Sequence, residues 1–255
     1  MRRTLDLLAP ILFVVLLLAV WQIVVRLLHT PIYLLPAPSD VALALAQNAA
    51  ILTRSALATL SMAVAALILA SAAACAIALA VALSPLAERS VRPVAVALQV
   101  TPIVAIAPLV NIWAGLDHPQ RAVIGLAAVV AFFPIFSGAV TGMKAADPDL
   151  ERLFDLYGAT RLQRLARLRL PAAVPYLLEG HKVAAGLAVI GAVVAEFVSG
   201  SGGAQGLAWR LLEAANRLQT AKMFAALLIL GLMGVAAHAL FQGLETWALK
   251  RWRGR

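Results

Sequence analysis

The run SALATLSMAVAALILASAAACAIALAVALSPLA, Ser55–Ala87, contains no charged residue between Arg54 and Glu88. A hydrocarbon core about 30 Å thick requires roughly 20 helical residues, so this run is long enough for one tilted transmembrane helix. Of the 255 residues, 63% are hydrophobic and only 13% are charged, which is too little polar surface to cover a soluble globule. The sequence therefore predicts an all-α polytopic membrane protein.

Five further apolar segments bring the prediction to six transmembrane helices in a single domain, 1–255. The first could be a signal peptide, but the nearest small-x-small site, at Ala44–Ala46, lies far beyond the apolar run, so an uncleaved helix is expected. The predicted spans are 7–26, 56–84, 93–115, 122–142, 183–201 and 223–246.

The distribution of basic residues predicts the orientation of these spans. Alternating the sides places 15 of the 21 Lys and Arg residues on the side of the N-terminus. By the positive-inside rule, both termini are expected in the cytoplasm. The net charge of +9 then reflects topology rather than nucleic-acid binding, because the basic residues lie between or just beyond the apolar runs.

The segment between the fourth and fifth spans, about 144–181, is predicted to be a cytoplasmic loop. Asp147-Pro148-Asp149 can cap and start a helix that ends near Tyr157, where Gly158 interrupts it. A second helix is expected from about Thr160 to Leu170, with Pro171 as its boundary.

The stretch YGATRLQRLARLRLP, Tyr157–Pro171, combines a leucine stripe with a basic stripe. Such a helix can rest on anionic headgroups, and we expect the arginines to hold it at the membrane surface. The helix–Gly–helix elbow also favours a docking element for a soluble partner, and the two interpretations are compatible.

The spacing of Gly158, nine residues and then Leu168-Arg169-Leu170-Pro171 resembles the cytoplasmic signature of integral membrane permease subunits of bacterial ABC importers. LLPAPSDV, QVTPIVAIAPLVNIWAG and SGSGGAQG further resemble the branch that transports nitrate, sulfonates and taurine. The glutamate-alanine-alanine part of that signature is replaced here by Arg152-Leu153-Phe154, with Glu151 one place early. The glycine elbow and the Leu-Pro terminus therefore carry the resemblance.

This resemblance implies a permease subunit in the bacterial inner membrane that forms the path for a small nutrient. It implies a homodimer, two ATPase subunits that bind ATP and Mg, and a separate substrate-binding protein; this chain itself would bind no cofactor or metal. The loop would couple ATP hydrolysis to transport. The implied coupling residues are Leu153, Phe154, Asp155, Tyr157, Gly158, Ala159, Thr160, Leu168, Leu170 and Pro171.

Other functions remain open at this point. The same importer class also transports vitamin or pyrimidine precursors, and a secondary transporter or a membrane-embedded enzyme is a further alternative. The chain lacks His-Glu-x-x-His and Gly-x-Ser-x-Gly, which argues against an enzyme. The SGSGGAQG loop lacks the Lys-Ser/Thr of a nucleotide-binding P-loop, so it is expected to be a flexible turn rather than an ATP site.

Polar residues within the predicted spans are candidates for the translocation path, because dehydrating them is costly. Glu196 could line the path, accept an interhelical hydrogen bond or reach the headgroups. Gln99, Thr101 and Asn111 lie near two prolines in the third span and could face a pore or bond neighbouring helices. Small residues, such as Gly186 and Gly191, are expected to permit close helix packing.

Overall fold

The computed structural model describes residues 2–115, 117–199 and 205–253, and all regular structure in these ranges is helical. A π-helical segment, Leu165–Arg169, joins two of the helices. The α-helices are α1 Arg2–Leu27, α2 Pro38–Gln47, α3 Ala49–Leu83, α4 Pro85–Val100, α5 Ile103–Ala114, α6 Pro119–Lys144, α7 Pro148–Leu156, α8 Arg161–Arg164, α9 Leu170–Ser199, α10 Leu207–Asn216 and α11 Thr220–Arg253.

Among the described residues, five stretches of helix are long and apolar enough to cross a membrane, and the α4–α5 pair makes a sixth if it is counted as one broken span. The protein is thus a polytopic all-α membrane protein, as predicted. The five continuous stretches are Ala9–Leu27, Ala49–Leu83, Pro119–Lys144, Arg161–Ser199 and Thr220–Arg251.

The third predicted span, 93–115, is not a single helix. α4 and α5 meet at an angle of 103°, and Thr101 and Pro102 between them have extended backbones. Proline has no N–H to donate and disfavours a helical conformation in the residue before it, so the chain bends here. Two short helices therefore replace the predicted continuous one.

The core is formed mainly by α6 and α9, with α3 packed against both. A Cβ at Gly138 of α6 would lie 2.6 Å from the Tyr176 carbonyl oxygen, and one at Gly180 of α9 would lie 2.6 Å from the Pro134 carbonyl oxygen. Only glycine permits so close an approach of the two backbones.

The predicted packing roles of two other glycines have different outcomes. Gly191 also contacts α6, with its Cβ position 2.9 Å from the Cα of Ala127, so its predicted packing role is confirmed. Gly186 has no described atom of another helix within 4 Å of its Cβ position, so the predicted packing role is not observed for this residue.

A smaller cluster joins α2, α10 and α11 beside this core. α2 begins at Pro38, and the Asp40 carboxylate accepts a hydrogen bond from the Ala37 N–H at 3.1 Å. α1 lies at the periphery, where Arg26 pairs with Asp40 at 2.8 Å and Trp21 packs on Phe224.

The predicted helix boundary at Pro171 was wrong. α8, the π-helical segment and α9 form one continuous helix from Arg161 to Ser199, so the predicted loop 144–181 contains only residues 145–160 outside the two long helices. The Leu170 N–H bonds to the Leu165 carbonyl, five residues back, which widens the turn directly before Pro171. The widened turn accommodates a proline that would disrupt a regular α-helix.

Candidate functional site

The elbow, Asp147–Arg169, is a short helix that turns sharply into the long one. Its first helix is capped by the Asp147 side chain, which accepts a hydrogen bond from the Asp149 N–H at 2.8 Å, while Pro148 occupies the first helical position. The sequence therefore predicted the start of this helix correctly.

Gly158 ends the first helix of the elbow with a left-handed backbone, φ +62°. The Ala159 N–H bonds to the Phe154 carbonyl and the Gly158 N–H to the Asp155 carbonyl, both at 3.0 Å, which is the Schellman pattern. Thr160 then caps the next helix, because its hydroxyl accepts from the Gln163 N–H at 3.3 Å. The predicted interruption at Gly158 is confirmed, and its cause is the positive φ.

Ion pairs join the two arms of the elbow, which are the helix Pro148–Leu156 and the start of the long helix from Arg161. Glu151 pairs with Arg164 at 3.1 Å and with Arg169 at 2.7 Å, and Arg164 also pairs with Asp155. Two of the four arginines predicted to hold the segment at the membrane surface therefore bind carboxylates within the elbow. Arg161 and Arg167 remain exposed.

The outer surface of the elbow is apolar and aromatic. Tyr157 is 81% exposed and Leu156 is 85% exposed, with Leu153 and Leu162 also exposed. A cavity of about 290 Å³ lies beside them, lined by Leu153, Phe154, Tyr157, Ala159, Gln163 and Arg167. This surface lies at the tip of the elbow, outside the core, so a partner protein can reach it.

The candidate coupling residues differ in position and exposure: seven lie in the elbow before the long helix, and three lie within the long helix. Leu153, Asp155, Tyr157, Gly158 and Thr160 are exposed, whereas Phe154 and Ala159 are half-buried beside the cavity. Leu168 is buried and Leu170 and Pro171 are half-buried within the continuous helix. Two exposed residues, Leu156 and Leu162, were missed; their apolar side chains on a short, otherwise charged segment were the available signal.

Glu196 is buried, with 3% of its surface exposed, and it bonds to two other elements. Its carboxylate accepts from the Thr59 hydroxyl of α3 at 3.0 Å and from the Ala208 N–H of α10 at 3.0 Å. The Thr59 oxygen accepts from the Leu207 N–H at 2.9 Å. Of the alternatives considered for Glu196, interhelical hydrogen bonding is the one observed; here it satisfies free N–H groups at the start of α10.

The other three polar candidates have separate environments. Gln99 is exposed on α4, and the hydroxyl of Thr101, directly after α4, donates to the Ala97 carbonyl of that helix at 2.6 Å. Asn111 accepts a hydrogen bond from the Ser199 hydroxyl at 3.1 Å, which joins α5 to the end of α9. Within the described ranges no hydrogen bond joins any two of the four predicted path residues, so the structure does not gather them into one site.

α10, whose Ala208 N–H binds Glu196, also carries an ion pair. Arg210 donates to Glu213 at 2.8 Å and to the Ser55 hydroxyl at 3.1 Å. The hydrogen bond from the Arg210 guanidinium lowers the pKa of the Glu213 carboxyl below its usual value. The expected flexible turn SGSGGAQG lies largely outside the described residues, but Gly206 ends it directly before α10.

Comparison with known proteins identifies the class. Residues 70–253 match the model of the family described as the binding-protein-dependent transport system inner membrane component. This match covers well over half of the chain, and the chain belongs to that family. The protein is therefore a transport subunit of an ABC importer, a multi-pass inner membrane component, as the resemblance implied.

Individual relatives align over different lengths. A formylaminopyrimidine transport permease of Halalkalibacterium halodurans is 32% identical and covers 99% of both chains. A riboflavin transport system permease of Chloroflexus aurantiacus is 34% identical over 93% of this chain and 87% of its own. A putative aliphatic sulfonates transport permease of Bacillus subtilis is 31% identical over 59% of this chain and 52% of its own.

Proposed function

We propose that this chain forms the translocation path of an importer for a small nutrient, which a separate binding protein delivers and an ATPase subunit drives. The observation that supports this function best is the elbow, whose exposed Leu156 and Tyr157 form an apolar knob on a stiff, ion-paired arm. Apolar and aromatic side chains of this kind supply the anchors of protein interfaces. Transmission requires that such an arm move as one body.

The proposed complex contains two copies of this chain, each carrying one elbow for one ATPase subunit. ATP and Mg would bind to the ATPase subunits, and this chain would bind no cofactor of its own. Both termini and the elbow would lie in the cytoplasm, in accordance with the distribution of Lys and Arg. The proposed substrates are small nutrients of the kinds that the resemblance implies or that the relatives' names give: nitrate, sulfonates, or vitamin and pyrimidine precursors.

The docking role is tested by comparing two exposed tyrosines. In Tyr157→Glu a charge replaces the aromatic side chain on the elbow, and we expect the ATPase subunit no longer to copurify and substrate-stimulated ATP hydrolysis to be lost. A buried aromatic anchor contributes about 2 kcal/mol or more to an interface, which corresponds to a roughly thirtyfold weaker association.

The matched control is Tyr33→Glu, because Tyr33 is 62% exposed and lies between α1 and α2, outside the elbow. We expect this variant to copurify with the ATPase subunit like the unmodified chain. Equal copurification of both variants with the ATPase would contradict the docking role of the elbow.

A further inference from the structure

A second candidate site is a cavity of about 340 Å³ between α4 and α6. Its size falls within the range of small-molecule sites, about 300–1,000 Å³. A planar four-atom anion such as nitrate occupies roughly the volume of two water molecules, ~60 Å³. The cavity is therefore several times larger than such an ion requires.

Two hydroxyl groups of α6, those of Ser137 and Thr141, line this cavity. They are four residues apart, so they lie on the same face of the helix. Within the part of the chain that the structure describes, neither hydroxyl makes a hydrogen bond to another residue. Ser137 is half-buried and Thr141 is exposed, so both hydroxyls are open to a ligand or to water in the cavity.

The wall beside these hydroxyls is aromatic. Phe133 and Phe136 line the cavity, and Phe136 stacks on Phe132 with ring centroids 5.4 Å apart, which fixes its position. Aromatic rings offer an apolar face against which a flat ring can stack. The cavity therefore combines an aromatic wall with hydrogen-bonding hydroxyls.

An ion pair between Glu88 of α4 and Lys144 of α6 lies at one end of the cavity. The same two residues also line a neighbouring cavity of about 550 Å³, which extends to Glu151 and Arg169 of the elbow. The ion pair thus stands in the wall shared by the two cavities. The neighbouring cavity thus shares lining residues with the first cavity and also reaches the elbow.

We propose that the cavity between α4 and α6 is a substrate-holding chamber, and that it takes a flat heteroaromatic compound with hydrogen-bonding groups on its edge. Ser137 and Thr141 bind those edge groups, and Phe133 and Phe136 pack against the ring. The inference rests on the proposed transport function and narrows its substrate class. It predicts that a ring compound binds in this cavity in preference to nitrate or a small sulfonate.

The chamber is tested by cysteine labelling of the full-length chain in lipid nanodiscs. Ser137→Cys and Thr141→Cys are introduced separately into a Cys75→Ala background, since Cys75 is the one cysteine of the sequence. Reaction with a small water-soluble methanethiosulfonate is followed with riboflavin, a formylaminopyrimidine, nitrate or taurine present. At ten times the Kd of a bound compound, labelling slows about tenfold, because only the free fraction reacts.

Protection of both cysteines by a ring compound, with no protection by nitrate or taurine, supports the chamber and its ligand class. Protection by nitrate or taurine instead would overturn the ligand class. Absence of protection by all four compounds, or cysteines that never react, would overturn the chamber itself.

Leu156→Cys, on the exposed elbow, separates this inference from the proposed function. The ATPase subunit should shield that cysteine, and the four small compounds should leave its labelling unchanged. If the ATPase fails to shield Leu156→Cys, the docking role of the elbow fails, and the protection of Ser137→Cys and Thr141→Cys still reports on the chamber.

Discussion

At the scale of single residues, Glu196 illustrates how a charge is accommodated in an apolar helix. A buried carboxylate is tolerated only when hydrogen bonds replace its water, and Thr59 and Ala208 provide them here. Gly206 makes this arrangement possible, because a Cβ there would lie only 1.8 Å from a carboxylate oxygen of Glu196. The hydrogen bonds of Glu196 with Thr59 and Ala208 fasten α9 to α3 and α10, and Gly206 leaves room for them.

Gly206→Ala is therefore expected to destabilise the protein. The added methyl group displaces the Glu196 carboxylate from its donors, and each buried hydrogen bond lost costs about 1–3 kcal/mol. The apparent unfolding temperature of the purified protein in detergent checks this expectation.

The control for that experiment is Gly243→Ala, because no described atom lies within 4 Å of the Cβ position of Gly243 and the residue is inside α11. That variant should unfold at the same temperature as the unmodified chain or slightly above it, since alanine is the better helix former. A Gly206→Ala protein as stable as Gly243→Ala would contradict the fastening.

The sequence identified Glu196 but not its partners. A carboxylate within an apolar run is easily seen in the sequence. Its partner Thr59 lies 137 residues away and belongs to a different helix. No periodicity in one sequence connects such positions. The same reason explains why Ser137 and Thr141, ordinary in composition, were absent from the predicted path residues.

At the scale of elements, the elbow is stiffened by charge rather than by a hydrophobic core of its own. Arg164 pairs with two carboxylates of α7, those of Glu151 and Asp155, and its side chain is only 22% exposed. Arg161, three residues earlier, is exposed on the same short helix. The two arginines have the same charge and neighbouring positions but different surroundings.

Arg164→Gln should loosen the elbow, because it removes the ion pairs with Glu151 and Asp155 and leaves both carboxylates without this partner. Faster amide hydrogen exchange across Pro148–Leu156 would report the loosening. Arg161→Gln is the matched control and should leave exchange unchanged. Similar exchange in both variants would show that the ion pairs do not stiffen the elbow.

Local sequence signals determined much of this element. Asp147, Pro148 and Gly158 predicted where the first arm begins and ends, because capping and positive φ are properties of a few consecutive residues. The helix boundary predicted at Pro171 was wrong, although a proline usually breaks a helix. The π turn that absorbs it depends on packing of Leu165 and Leu168 into the body of the protein.

At the scale of the whole molecule, the sequence revealed six apolar segments but not how they pack against one another. Length and charge determine which segments enter the bilayer. The pairing of α6 with α9, and the bend between α4 and α5, depend on contacts between distant parts of the chain. The two cavities between these elements could therefore not be predicted from the sequence.

The Glu88–Lys144 pair is expected to close the wall between those cavities. Lys144→Met removes the pair, and Ser137→Cys should then react faster with a membrane-impermeant thiol reagent added from the side of the elbow. Lys144→Arg keeps the charge and should restore the slow rate, while Lys250→Met, an exposed site near the end of α11, should have no effect. Unchanged labelling in Lys144→Met would contradict the closure.

The unbroken helix from Arg161 to Ser199 has a mechanical consequence. Its 39 residues extend about 60 Å at 1.5 Å per residue, with the elbow at one end and Glu196 close to the other. A rod of this length acts as a lever, in which a small tilt moves the two ends in opposite directions. We expect a partner that binds at the elbow to influence the Glu196 end of this helix, and thermodynamic linkage then requires the same coupling free energy in the opposite direction.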